Sequence, residues 1–224
     1  ADVAGRDAVQ TNWHDNFVDI EPVVGTVVSP EDAERVRELA DTYLDHREIL
    51  FDHRLAEGLV RDGHGDLTAE DIFCLPDGPR ILDCLAFDPK LRIADVLLDI
   101  DFLAMDLERL AGAEVANDLL SWYSEFSNEH HPSSLARHYV AYRASVRAKV
   151  AAIRFGQGDH AQAPLIRQYH DLCRRQLEQA AMKVIMIGGT PGTGKSTLAQ
   201  GLSAACGYMV LSTDELRKDL AGMG

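Results

Sequence analysis

One glycine-rich stretch constrains the fold of this chain more than any other. It lies between an apolar run at 184–187 and an amphipathic segment that starts at Thr197. Its pattern, G-x-x-x-x-G-K-[ST], predicts a phosphate-binding loop between a strand and a helix, because glycines let successive backbone N–H groups turn towards one phosphate. The predicted nucleotide-binding residues are Gly189, Thr190, Pro191, Gly192, Thr193, Gly194, Lys195, Ser196 and Thr197.

The loop pattern also predicts roles for individual side chains. We expect Lys195 to reach the β- and γ-phosphates of ATP, and the Ser196 hydroxyl to bind Mg²⁺. Further along, Asp214 and Arg217 look like the D-x-x-R of small-molecule P-loop kinases, where the acid faces the acceptor and the arginine helps to bind it. An aspartate near a helix start followed by an exposed arginine is the alternative interpretation.

The composition restricts the partners of the chain. Its 224 residues carry a net charge of −14, which argues against nucleic acid or an anionic membrane as the main partner, since both require a basic surface. No apolar run reaches the roughly 20 residues that span a bilayer. The cysteines form no C-x-x-C pair, so neither a disulfide framework nor a zinc site is indicated, and a reducing cytoplasm fits best. They are Cys74, Cys84, Cys173 and Cys206.

A second group of polar residues lies in the middle of the chain. His64-Gly65-Asp66 precedes the turn signal Pro76-Asp-Gly-Pro79, which predicts a hairpin over 72–85 with Asp83 on its second strand. This arrangement resembles the catalytic loop of protein-kinase-like enzymes, and most closely the aminoglycoside phosphotransferase branch, in which the loop reads H-G-D. The position five residues beyond Asp66 is Asp71, where that family usually has Asn.

The resemblance implies ATP- and Mg²⁺-dependent phosphorylation of a small hydroxylated acceptor. Asp66, with His64 beside it, would be the catalytic base, while Asp71 and Asp83 would bind Mg²⁺. The acidic Asp71 adds negative charge beside the phosphates, which favours the alternative of a regulator or degenerate kinase that binds ATP without turnover. A coincidental acidic loop, or an ATPase whose P-loop module acts on its neighbour, would also account for these residues.

The segment after the hairpin extends the resemblance. Residues 91–108 look like a helix in a bacterial group that joins a phosphotransferase-like module to a P-loop kinase module. In that group an Asp at the position of Asp95 supports the catalytic loop by hydrogen bonding, so the resemblance implies the same role here. The alternative is a first-turn carboxylate stabilised by the helix dipole. The helix is apolar almost all round, so Asp99, Asp101 and Asp106 must find exposure or partners.

The remaining helices follow from caps and periodicity. Ser29 and Pro30 predict a helix start, and the apolar pattern continues towards Gly58. Further helices are predicted at 114–128, 132–155 and 161–181. The helix at 132–155 carries arginines that form either a solvated basic side or the lining of an anionic acceptor or nucleotide cleft. The cluster Glu129-His130-His131 is assigned to a loop rather than to a metal site.

These predictions combine into an α+β fold that is mostly α-helical. Residues 1–181 are expected to form a kinase-like C-lobe with a small β-hairpin, and 182–224 the start of a P-loop α/β domain as strand, loop, helix and strand. The sequence contains no glycine-rich strand pair before the H-G-D loop and no Walker B strand after the P-loop. We therefore expect the chain to be the middle of a larger protein that binds a nucleotide and a small-molecule acceptor.

Overall fold

Helices make up most of the computed structural model, which describes residues 4–86, 91–182, 184–206 and 209–221. The chain divides into two compact units, residues 1–182 and 183–224. Of the helices in the described residues, none is long and apolar enough to cross a lipid bilayer. These helices are α1 (Arg6–Ile20), α2 (Pro30–Leu44), α3 (Glu48–Ala56), α4 (Val96–Ala111), α5 (Ala113–Ser127), α6 (Ser133–Gly156), α7 (Ala163–Ala180), α8 (Lys195–Cys206) and α9 (Thr213–Leu220).

Helix α2 begins as its sequence predicts and ends earlier. The Ser29 side chain accepts a hydrogen bond of 3.0 Å from the backbone N–H of Asp32, and Pro30 occupies the first helical position. The helix does not continue to Gly58, because the chain turns at His46, whose φ is 59°. A left-handed residue cannot continue a right-handed helix, so α3 starts as a separate element.

The core of the first unit is built around α6. This helix packs against α7, α4 and α1, and α2 packs against α7. Small side chains on α6 allow these neighbours to approach closely, while large side chains from the surrounding helices, including Trp13, Phe102 and Leu172, fill the space between them. The buried alanines of α6 are Ala136, Ala141, Ala144, Ala148, Ala151 and Ala152.

Two small antiparallel sheets lie beside the helices. Strands β2 (Ile72–Leu75) and β3 (Gly78–Ile81) form the predicted hairpin, with Ile72 opposite Ile81. Because β3 ends at Ile81, Asp83 lies two residues beyond the strand and not on it. Strands β1 (Val60–Asp62) and β4 (Ile93–Asp95) pair with each other, with Val60 opposite Asp95. The sequence pattern did not predict this pairing, because strands this short have no readable alternation.

The second unit contains helices and no strand in the residues that the structure describes. The predicted strands at 184–187 and around 209–211 are not observed there. A strand is stabilised by hydrogen bonds to a neighbouring strand, and the described residues of this unit supply no such partner. The apolar run is correspondingly exposed, since Val184 and Met186 retain 90% and 92% of their accessible surface.

Candidate functional site

The H-G-D loop of the first unit is positioned by a carboxylate of α4. Asp99 accepts a 2.6 Å hydrogen bond from the backbone N–H of His64 and a 2.9 Å bond from that of Gly65. Arg143 on α6 lies 3.5 Å from the same carboxylate and also donates to the Leu98 carbonyl. The loop-supporting role that the resemblance assigned to Asp95 therefore belongs to Asp99, one helical turn later.

Asp95 instead caps α4 and belongs to a buried ionic network. It accepts from the backbone N–H of Leu97 at 3.0 Å, as expected for a carboxylate at a helix start. The Arg54 guanidinium donates to both Asp95 oxygens and, at 2.7 Å, to Glu129. Burial opposes ionisation of Glu129, but hydrogen bonds from Arg54 and His131 outweigh it and lower the pKa of this carboxyl. Glu129 and His131 thus belong to this network, and the prediction that Glu129-His130-His131 is not a metal site stays a prediction.

The other two aspartates of α4 differ in their surroundings. Asp106 is buried but accepts from Arg109 at 2.7 Å and from the backbone N–H of Ala69 at 3.2 Å, which connects α4 to the one-turn 3-10 helix at Ala69–Asp71. Asp101 is fully buried, and neither of its oxygens has a hydrogen-bond partner among the described residues. Burial raises the pKa of Asp101 well above its ordinary value, and the nearby Asp95 adds to the effect.

Two glycines allow the loop to approach its neighbours, which are α4 at Gly63 and the segment before β4 at Gly65. A Cβ atom at position 63 would collide with the Oδ2 atom of Asp99. Gly65 has a φ of 86°, and a Cβ atom there would lie 3.3 Å from the backbone oxygen of Leu91. Both the close approach and the left-handed conformation therefore favour glycine at these positions.

Asp66 presents an unpaired carboxylate. It is half-buried and makes no hydrogen bond or ion pair in the described part of the chain. Burial raises the pKa of Asp66, while the positive charges of Arg147 and Arg143 partly oppose this shift and Asp71 reinforces it. A carboxylate in this setting can accept a proton more readily than an exposed one.

Backbone contacts connect the H-G-D loop to the hairpin. The N–H of Leu82 donates to the Asp71 carbonyl at 3.0 Å, and the N–H of Leu85 donates to the His64 carbonyl at 3.1 Å. The Nε2 atom of His64 lies 2.8 Å from the Leu82 carbonyl, and because a carbonyl only accepts, this nitrogen donates. The ring of His64 therefore connects the loop to the hairpin. The contacts also bring Asp71 close in space to the segment that contains Asp83.

Asp71 and Asp83 differ in how free their oxygens are. Asp71 accepts at Oδ2 from the Thr68 N–H at 3.0 Å and from the Thr68 hydroxyl at 2.8 Å, which leaves Oδ1 without a partner in the described structure. Asp83 is exposed and has a φ of 63°. No group of three or more His, Cys, Asp or Glu side chains within the described residues could bind a metal. Two carboxylates with hard oxygens nevertheless suit Mg²⁺, which usually keeps water and phosphate oxygens as its other ligands.

The P-loop of the second unit forms a compact turn before α8. The Lys195 ammonium donates to the carbonyls of Gly189 at 2.8 Å and Thr190 at 2.7 Å, and the Thr193 hydroxyl donates to the Thr190 carbonyl. Lys195 is the first residue of α8, so the loop leads directly into the helix N-terminus, as its sequence predicts. The hydroxyl-bearing residues after it, Ser196 and Thr197, are exposed.

The structure describes only part of the predicted acceptor-binding pair of the P-loop unit, Asp214 and Arg217. Arg217 lies on α9 and is exposed. The side chain of Asp214, on the same helix, lies outside the described part of the structure, as does Tyr208 at the start of the second predicted strand. The proposed catalytic role of Asp214 and the acceptor-binding role of Arg217 therefore stay predictions.

Comparison with known proteins finds a similarity for the second unit. A protein-family model described as an AAA domain matches residues 184–224, the segment that contains the P-loop, and this similarity indicates a nucleotide-binding P-loop there. Over 217 residues, or 97% of its length, the chain is 40% identical to uncharacterised proteins of Mycobacterium bovis and of two strains of Mycobacterium tuberculosis. The chain spans 44% of the length of these relatives. No solved structure matches the chain at a significant level.

The sequence did not reveal the buried ionic network or the carboxylate that supports the loop. Arg54 was one basic residue among many on a predicted amphipathic helix, and its buried partners lie 41 and 75 residues away. Asp99 carried a usable signal, because an aspartate on a nearly all-apolar helix needs a polar partner. Asp95 and Asp99 are four residues apart on adjoining turns, and only the contacts distinguish their roles.

Proposed function

We propose that the first unit carries the catalytic loop of a kinase-type phosphotransferase that acts on a small hydroxylated acceptor, with ATP and Mg²⁺. The observation that carries the proposal is the unpaired, half-buried Asp66 on a loop supported by Asp99. An ordinary structural aspartate at this depth would have a donor for its carboxylate. In Asp66 the carboxylate remains available for a ligand.

The proposed reaction transfers the γ-phosphoryl group of ATP. The acceptor oxygen forms a bond to the γ-phosphorus as the bond from that phosphorus to the β,γ-bridging oxygen breaks, and ADP leaves with the electron pair. The hydroxyl proton passes to the Asp66 carboxylate. His64 positions the loop against the hairpin through its contact with Leu82.

Asp71 and Asp83 are the residues that would bind the metal ion. The free Oδ1 of Asp71 and the exposed carboxylate of Asp83 supply hard oxygens. When bound, Mg²⁺ would neutralise charge on the phosphates. Lys195 and Ser196 of the P-loop would form a second nucleotide site, and the match of 184–224 to a P-loop family supports that part of the proposal.

Substitution of Asp66 tests the catalytic role. We expect Asp66→Asn to lower transfer of labelled phosphate from ATP to a panel of hydroxylated acceptors by about 100-fold or more, because the general base is lost. Asp62→Asn is the matched control, since Asp62 is exposed and pairs with Arg92 outside the loop. Transfer at the wild-type rate by Asp66→Asn would contradict the role of Asp66.

A second candidate function is an ATP-binding regulator without turnover. The observation that favours it is the hydrogen bonding of Asp71, whose Oδ2 is already occupied by Thr68 at a position where kinase-like enzymes usually have Asn. Mg-ATP binding without any phosphorylated product across the acceptor panel would support this candidate over the enzyme.

A further inference from the structure

Arg147 is placed beside the candidate catalytic loop by the geometry of α6. One turn earlier on the same helix, Arg143 donates to the Leu98 carbonyl at 3.1 Å and lies 3.5 Å from Asp99, the residue that supports the H-G-D loop. The Arg143 guanidinium also lies 4.6 Å from the centre of the Phe102 ring. Residues four apart share one face of a helix, so Arg147 faces the same side.

Arg143 and Arg147 differ in what they contact. The contacts of Arg143 are internal to the fold and explain its burial. Arg147 is half-buried and has neither a hydrogen bond nor an ion pair in the part of the chain that the structure describes. The chain contains 36 acidic and 22 basic residues, so a partly buried arginine without a carboxylate partner is unexpected.

Asp66 and Arg147 lie near the same supporting carboxylate: Asp66 follows His64 and Gly65, whose N–H groups donate to Asp99, and Arg147 comes one turn after Arg143, which also contacts Asp99. The charge of Arg147 acts on the Asp66 carboxyl more strongly than any other charge does, and it partly offsets the rise in pKa that burial causes. Both side chains lack partners among the described residues, and the two form no ion pair. A ligand that offers a hydroxyl to one and a negative group to the other would satisfy both.

We propose that Arg147 binds an anionic group of the acceptor, a phosphate or a carboxylate, while Asp66 engages the acceptor hydroxyl. The inference rests on the proposed phosphotransferase function and narrows its substrates to hydroxylated metabolites that already carry negative charge. Such a molecule would otherwise be repelled by Asp66, Asp71 and Asp83, and an arginine offsets this repulsion with charge-assisted hydrogen bonds.

The positions of the charged residues favour the acceptor over the nucleotide as the partner of Arg147. The two candidate metal ligands, Asp71 and Asp83, approach the loop from the hairpin, and the phosphates of ATP would accompany the metal. Arg147 approaches from α6, the helix that contacts α4.

Matched acceptor pairs test the inference. Transfer from labelled ATP is measured for ribose and ribose 5-phosphate, and for glycerol and glycerate, with wild-type protein and with Arg147→Ala, Arg147→Lys and Arg154→Ala. Arg154 lies on α6, is exposed and has no side-chain partner in the described structure, so it controls for loss of charge from this helix. Binding of inorganic phosphate is measured by calorimetry on the same proteins.

The expected result is a selective loss. Arg147→Ala raises the KM for charged acceptors by about 10-fold or more, leaves neutral ones within about twofold, and weakens phosphate binding by a similar factor. Arg147→Lys restores part of the loss, and Arg154→Ala changes neither. The acid limb of the pH–rate profile also moves to higher pH in Arg147→Ala, because the cation that favours ionised Asp66 is gone.

Three outcomes would overturn the inference. Equal use of neutral and charged acceptors by wild-type protein and Arg147→Ala would show that Arg147 does not select the acceptor. An increase in the KM for ATP alone would assign Arg147 to the γ-phosphate. If no acceptor is phosphorylated, the proposed function fails, and phosphate binding that is unchanged in Arg147→Ala would then rule out the anion site as well.

One further outcome separates the two proposals. If no acceptor is phosphorylated but phosphate binding is lost in Arg147→Ala and retained in Arg154→Ala, Arg147 forms an anion site although the proposed enzyme activity is absent.

Discussion

In residues 1–182 the H-G-D loop is supported by a buried arginine and a partly buried aspartate, whereas in the described part of 183–224 no side chain is buried. Asp99 and Arg143 fix the first loop from two packed helices. The P-loop is held by contacts within itself, since the side chains of Lys195 and Thr193 donate to backbone carbonyls of the same loop. The more recognisable motif thus has the weaker tertiary support. The specificity of a sequence pattern and the stability of the structure around it are separate properties.

The largest expected effect concerns the buried network of the first unit. Arg54→Met is expected to lower the free energy of unfolding by about 3 to 5 kcal/mol, because it leaves the buried Asp95 and Glu129 without their cation. Chemical denaturation measures the change. The control is Arg35→Ala, which removes an exposed arginine paired with Glu38, and its effect should stay below about 1 kcal/mol. If Arg54→Met lowered the free energy of unfolding by no more than this control does, the network would not support the unit.

The next effect concerns the support of the H-G-D loop. Asp99→Ala removes the acceptor for the N–H groups of His64 and Gly65, and we expect it to cost about 1 to 3 kcal/mol of stability and to abolish phosphoryl transfer. Asp99→Asn keeps one carbonyl oxygen as an acceptor, so it should retain part of the stability and part of the proposed phosphoryl transfer. Protection of the His64 and Gly65 amides in hydrogen exchange measures the contact directly. Unchanged protection in Asp99→Ala would contradict the assignment.

A gain of stability is expected at Asp101. Burial raises the pKa of Asp101, so its carboxyl is protonated in the folded protein at pH values where the unfolded chain, with a pKa of about 4, is ionised. Its contribution to stability is therefore full below about pH 4 and is lost as the pH rises towards the folded pKa. Asp101→Asn is uncharged throughout, so it should be more stable than the wild-type protein at pH 7, and this gain should shrink as the pH falls to about 4. Denaturation curves at both pH values test this, and a loss at pH 7 would contradict it.

The smallest stability effect is expected in the P-loop unit. Lys195→Ala should change the free energy of unfolding of the first unit by less than about 0.5 kcal/mol, because Lys195 makes only exposed contacts within its own loop. We also expect the 224-residue chain to bind Mg-ATP at the P-loop no more tightly than about millimolar. Micromolar affinity that is lost in Lys195→Ala would show that this unit is better supported than its exposed side chains indicate.

Much of the fold was predictable because it depends on neighbours along the chain. The cap at Ser29, the turn at Pro76-Asp77 and the helix that follows the P-loop were each correctly predicted from a few adjacent residues. Two of the errors have identifiable causes. The break at His46 has no glycine or proline to mark it, and the strand at 184–187 requires a partner that local sequence cannot supply.

The sequence by itself determined the phosphate-binding loop, the H-G-D tripeptide and the amphipathic helices, because each is encoded within a few turns of chain. The tertiary structure decided which aspartate supports the loop, that Arg54 joins Asp95 to Glu129, and that Arg147 stays unpaired on α6, one turn after Arg143. The physical reason is that a charge finds its partner through packing. Residues far apart in sequence meet only when α4 and α6 are in place.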